Sequence, residues 1–233
     1  MALVGTEAQR LGNVVKYEHA ADIKFCRKVV NAYEAASTTY NLGTVLGRTL
    51  ASGAATATVG AGNTGNGAMG SITVASNARV GMYTLRITAA STNAGSFELR
   101  NAAGALQGTG TVGTAFSGAG LSFTLADGST DFVVGDTFTI NVTGSERYKV
   151  CEYTATDGSS IPHAIVIGVG PQGVGFGGTI AATTATPVLV LERGPAIVAD
   201  AALTFGASYD SAAKKAAAYI ALAALGIVVE TQI

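Results

Sequence analysis

Residues 164–192, AIVIGVGPQGVGFGGTIAATTATPVLVLE, hold the spacing with the most obvious chemical meaning. Gly168, Gly170 and Gly173 form G-x-G-x-x-G between two apolar runs, and the second run ends in Glu192. In a dinucleotide-binding βαβ unit this order supplies a tight turn, a helix N-terminus for the pyrophosphate and an acid for a ribose hydroxyl. A flavin or nicotinamide enzyme working through Gly168–Gly173 is therefore one reading. The residues after the third glycine argue against it. The would-be helix, VGFGGTIAATTAT, contains Gly175, Gly177, Gly178 and four threonines. Relative to alanine, those residues cost a helix about 4–5 kcal/mol. Two strands joined by a loop of small residues fit better, so no cofactor is expected.

The other reactive side chains form no constellation. His19 sits among alanines, and His163 follows Pro162 at the start of a strand. Neither lies at metal-ligand spacing from Cys, Asp or Glu. Cys26 and Cys151 are too few for a disulfide framework and read as small buried apolar residues. Ser159 and Ser160 flank a turn without the G-x-S-x-G context of a nucleophile. Asp127, Asp131 and Asp136 lie in LADGSTDFVVGD. They could approach a calcium ion, but they lack the EF-hand pattern and suit turns. No catalytic or metal-binding residue is expected, and the chain is read as a non-enzyme.

Composition narrows the class further. The 233 residues are 48% hydrophobic but only 12% charged, with a net charge of −1 and 31 glycines. Without a basic field, nucleic acid is not an expected partner. The longest apolar run, AAAYIALAALGIVV, is too short for a membrane span and is broken by Gly226, so no membrane is expected either. Small side chains and sparse charge suit close packing between chains. The start, MALVGTEAQRLGN, lacks the blocks of a signal peptide, which points to synthesis in a cytoplasm without export.

The elements that would position these residues fall into two styles. Residues 1–13 are unpatterned and read as an arm. Short strands follow in NVVKYE, DIKFCRKVV and LGTVLGRTL. Residues 51–70, nearly free of bulky side chains, read as linker. A strict period of two then begins: Tyr83, Leu85 and Ile87; Phe97 and Leu99; Leu121, Phe123 and Leu125; Phe138, Ile140 and Val142. That is the pattern of a small antiparallel, Ig-like β-sandwich, placed at 56–145. The earlier style returns from residue 146. It continues through the strand PVLVLE to an alanine-rich helix, with Ser208 or Asp210 as cap, Ala213, Ala217, Ile220 and Ala224 as packing stripe, and Gly226 as stop. The expected fold is thus mixed α+β and mostly β. A base domain, 14–55 and 146–233, carries a C-terminal helix and is interrupted by the sandwich.

GTVLGR (43–48), the DGS turn (157–159) leading into AIVIG (164–168), VLVLERGPAIV (188–198), the alanine-rich helix and the ending LAALGIVV (222–229) together resemble the phage head decoration proteins of the lambda type. The resemblance covers the base domain. It implies a trimer bound to the major capsid protein on the outer surface of the expanded head, stabilising the shell. It also implies an N-terminal arm lying on the capsid, here with Leu3, Val4 and Leu11 as apolar contacts. The insert at 56–145 is extra to that pattern and has no assigned ligand. A tail or spike component carrying an Ig-like module is the other virion reading.

Overall fold

The structure, a computed structural model, describes residues 10–18, 23–169 and 177–231. It contains two compact units, Met1–Arg48 with Arg147–Ile233, and Thr49–Glu146. They are called the base and the insert below. The base begins with α1 (Leu11–Val14), β1 (Val15–Glu18), α2 (Ile23–Cys26), β2 (Arg27–Ala32), β3 (Thr38–Asn41) and the first residues of β4 (Val45–Val59). The insert holds the rest of β4, then β5 (Ala68–Met69), β6 (Thr73–Val74), β7 (Gly81–Ser91), β8 (Ala94–Asn101), β9 (Leu106–Thr111), β10 (Ala115–Gly118), β11 (Leu121–Ala126) and most of β12 (Thr137–Val150). The base resumes through β13 (Pro162–Val169), β14 (Gly177–Ile180), β15 (Thr186–Leu191), β16 (Ala196–Ala199), α3 (Ala212–Ala224) and β17 (Ile227–Glu230). The class is the mixed, mostly β one expected.

In the base, β13 lies antiparallel between β15 and β4, and β15 pairs with β2. The end of β12 joins β2 in parallel at Tyr148 and Ala32, and the Cys151 N–H donates to the Val45 carbonyl. These bonds close the strands into a small barrel. Successive side chains of a strand point to opposite faces. Ala164 and Val166 therefore enter one core, with Leu46, Tyr148 and Val190. Ile165 and Ile167 enter a second, with Val14, Val198, Leu222 and Ile227. A strand buried on both faces needs apolar residues throughout, which is why AIVIG shows no alternation. Each fully buried aliphatic side chain contributes about 1.5–3 kcal/mol.

The second core also receives side chains from α3 and from the three-stranded sheet β1-β16-β17. Ser211 caps α3 by accepting the Lys214 N–H. Gly226, at φ +79°, ends the helix as the sequence suggests. The packing stripe differs from expectation. Ala218 and Leu222 are buried, whereas Ala213, Ala217 and Ala224 are exposed and Ile220 is 74% exposed. In an alanine-rich helix several stripes have similar hydropathy, and Leu222 decides which one turns inward.

The insert has a sheet in the order β4-β12-β7-β8-β9, and a smaller one in which β11 pairs with β10, β5 and β6. Tyr83, Leu85 and Ile87 point into one core while Met82, Thr84 and Arg86 stay outside. Phe97 and Phe116 join that core, with Phe123 at 6.1 and 4.9 Å from their ring centroids. The expected linker at 51–70 is largely structured. Residues up to Val59 extend β4. Beyond it, the Asp136 carboxylate accepts the N–H groups of Thr64, Gly65 and Val133, and Asn63 exchanges two hydrogen bonds with the Thr137 backbone. A Cβ on Gly65 or Gly67 would come within 2.5 Å of the Phe132 ring. Small residues here allow the backbone to approach that ring and do not signal looseness.

Candidate functional site

Of the glycine triplet, Gly168 is the member that the described residues include. Gly168 lies in β13 where the pairing with β15 shifts register. Gly170 and Gly173 lie outside the described residues. The chain then forms β14, paired with β3, in place of a helix, and β15 runs antiparallel to β13. A dinucleotide unit needs parallel strands around a helix, so this geometry overturns the flavin or nicotinamide reading. Glu192 serves the fold. Its carboxylate accepts from the Tyr148 hydroxyl at 2.7 Å, Lys28 at 3.0 Å and Arg193 at 3.4 Å. Burial alone would raise its pKa, but these donors outweigh burial and hold it below the usual carboxylate range.

The remaining reactive residues are placed as follows. Cys26 and Cys151 are buried free thiols. Burial pushes the Cys151 thiol up to about 12, far from a reactive thiolate. The Ser159 hydroxyl and N–H both donate to Asp157, closing the DGS turn. Asp136 accepts three backbone N–H groups, and Asp131 accepts the Asn93 N–H. Asp127 has both carboxylate oxygens buried without a hydrogen-bond partner. Among the described residues no three His, Cys, Asp or Glu converge as metal ligands, so the three aspartates are not drawn together. His163 lines a cavity of about 270 Å³ with Lys28, Arg48, Glu192, Arg193 and Leu225, which sequence spacing did not reveal. His19 lies outside the described residues. Among the described residues no helix is long and apolar enough to cross a membrane.

The motif GTVLGR has a clear physical basis. Gly43 adopts φ +85°, and a Cβ there would meet the Ala202 carbonyl oxygen at 2.0 Å. A Cβ on Gly47 would meet the Ser159 carbonyl oxygen at the same distance. Between them, the Val45 N–H donates to Thr204 and the Val166 N–H to Thr44. The hexapeptide thus ties β4 to the DGS turn and to the segment before α3.

The base exposes several large apolar residues. Tyr17, Ile197 and Val228 stand in register across β1, β16 and β17, with Tyr17 and Val228 about half exposed. Phe25 and Val29 are equally exposed, and α3 presents Ile220 among alanines. Of the arm contacts expected from sequence, Leu11 packs partly buried against the second core of the base. Leu3 and Val4 lie outside the described residues.

Solved structures of flagellar junction proteins share limited similarity. FlgL from Xanthomonas campestris aligns with 26% identity over 46% of this chain and 34% of its own, at a TM-score of 0.32. FlgL from Legionella pneumophila aligns with 15% identity over 44% and 37%, at 0.31. The hook junction protein FlgK from Burkholderia pseudomallei aligns with 22% identity over 55% and 22%, at 0.33. This chain therefore spans about a third or less of the length of those proteins. No curated protein matches it. The family described as Bacteriophage lambda head decoration protein D matches residues 4–227, nearly the whole length. This match shows that the chain belongs to the phage lambda head decoration protein D family.

Proposed function

We propose that the protein binds as a homotrimer to the major capsid protein on the outer surface of the expanded head and stabilises the shell. The family match over residues 4–227 carries this reading. The physical character of the base supports it. Symmetric assembly multiplies modest apolar contacts, and the half-exposed Tyr17, Phe25, Val29 and Val228 supply such contacts. The N-terminal arm would lie on the capsid through Leu3 and Val4. Leu11 would anchor its root to the base. The insert would be displayed outward, and its chemistry assigns it no ligand. The protein would be made in the host cytoplasm and act on the virion. Purified protein should bind empty expanded shells to saturation, and decorated heads should survive higher temperatures than bare ones. Undetectable binding to expanded shells would contradict the reading.

A further inference from the structure

We propose that Asp127 anchors a binding site for a calcium-class cation in the loop after β11 of the insert. Leu121, Phe123 and Leu125 of that strand enter the core of the insert. Asp127 stands at the next position of the same period, so the chain carries a carboxylate to the end of an apolar row. Both of its oxygens are buried, and neither has a hydrogen-bond partner. A carboxylate held that way is costly unless a cation compensates it. No basic side chain of the insert does so. From Thr49 to Glu146 the basic residues are Arg79, Arg86 and Arg100. Arg100 holds Glu98 with two hydrogen bonds, Arg86 lies opposite Glu98 outside the core, and Arg79 precedes β7.

The loop around Asp127 is held in place by other bonds. The Asn66 side-chain oxygen accepts the Thr130 N–H at 2.9 Å, its amide nitrogen donates to Ser129, and its backbone N–H donates to the Thr130 carbonyl. Asp136 and Asp131 accept backbone N–H groups, so Asp127 is the one of the three aspartates without a donor. Uncharged oxygens lie beside it. The Asn66 side-chain oxygen is 2.0 Å from where a Cβ on Gly128 would stand, and the Ala126 carbonyl oxygen is 2.4 Å from one on Gly67. Gly128 follows Asp127, and Gly67 precedes Ala68, the partner of Ala126 in the β11–β5 ladder. One carboxylate among carbonyl oxygens is a hard donor set. It suits calcium, which takes backbone and amide carbonyls in flexible geometry. Magnesium keeps several waters in a strict octahedron, which oxygens sealed from solvent do not favour. Three acidic ligands do not converge among the described residues, so the affinity belongs to the weak range, with Kd on the order of 0.1–1 mM. The site lies in the insert and does not rest on the decoration reading.

The test uses the full chain, stripped of divalent ions with a chelator and titrated with calcium chloride. Sodium chloride at matched ionic strength and magnesium chloride at equal concentration are the controls. Backbone amide signals of residues 66–68 and 126–131 should shift to saturation with calcium, roughly tenfold more weakly with magnesium, and not with sodium. With calcium at ten times Kd, the melting temperature should rise by about 5 °C. Asp127→Asn should remove both effects. Without calcium that variant should melt at or above the wild-type temperature, because it lacks the uncompensated charge. With calcium it should melt below the wild type. Asp210→Asn, paired with Lys214 in the base, should bind calcium as the wild type does. Shifts that do not saturate, that fall elsewhere, that sodium or magnesium reproduce, or that persist in Asp127→Asn would overturn the proposal. So would an Asp127→Asn protein more stable than the wild type at every calcium concentration, the mark of a buried neutral acid. The amide shifts of the wild type decide the question even where the variant does not fold.

Discussion

Strand β7 of the insert and strand β13 of the base meet the demand for burial in different ways. In β7 every second residue is buried, Tyr83, Leu85 and Ile87, and those between face solvent. In β13 the run from Ala164 to Gly168 is buried without interruption, because a core lies on each face. The polar interiors differ too. The base buries Glu34, which accepts from the Tyr40 hydroxyl and the Val150 N–H, and Glu192 beside Tyr148. The insert uses clustered phenylalanines, and the carboxylate of its buried Asp136 is bonded to backbone N–H groups. A core built from one face tolerates change on its other side. A strand shared by two cores does not, and polar ties across it fix its position.

The sharpest way to break the comparison is to remove one side of it. Deleting residues 58–144 and joining the ends through a short linker should leave a folded, shell-binding base. Its urea m-value should fall, since less surface opens on unfolding. Insoluble product at every linker length would contradict separate folding. Next in size are core truncations. Phe97→Ala in the insert and Ile165→Ala in the base should cost about 3–5 and 2–5 kcal/mol. Hydrogen exchange should localise each loss to its own unit. Protection lost equally in both by either change would merge them into one cooperative body.

Smaller effects come from the polar ties. Tyr148→Phe removes a donor from buried Glu192 and should cost about 1.5–3 kcal/mol, seen as protection lost in the base alone. The smallest is a difference in acid sensitivity. Burial would raise the pKa of Glu152, Asp157 and Glu192, but their hydrogen-bond donors outweigh it and hold all three low. A carboxylate with a lowered folded pKa contributes stability above its unfolded pKa and loses it as pH falls through the folded value. The base should therefore weaken below about pH 5. The insert, relying on Asp136 among buried carboxylates, should weaken less steeply. Equal slopes for the two units would contradict this, and Glu192→Gln should flatten the slope of the base.

The same contrast explains what the sequence made legible. The insert strands follow from alternation, and the residues at period two, Phe97, Leu99, Leu121, Phe123 and Leu125, all enter its core. Gly226 was legible as a helix stop because its backbone conformation excludes other residues. The stretch 51–70 misled because alanine, threonine and glycine carry no periodic signal, although Phe132 and Asp136 hold it in place. The α3 stripe misled because alanine is nearly neutral between faces. The glycine triplet of 168–173 imitated a cofactor loop because a two-sided β-strand has the same apolar run as a buried parallel one. The cavity around Glu192 could not be read at all, since its residues come from β2, β4, β13 and the segments after β15 and α3, far apart in sequence.

The central claim is decoration of the whole shell. The measurement that tests it most directly is the molar ratio of this protein to the major capsid protein in purified particles. The account predicts a ratio of about one, as a subunit repeated by the shell's symmetry requires. A few copies per particle, or none, would contradict it.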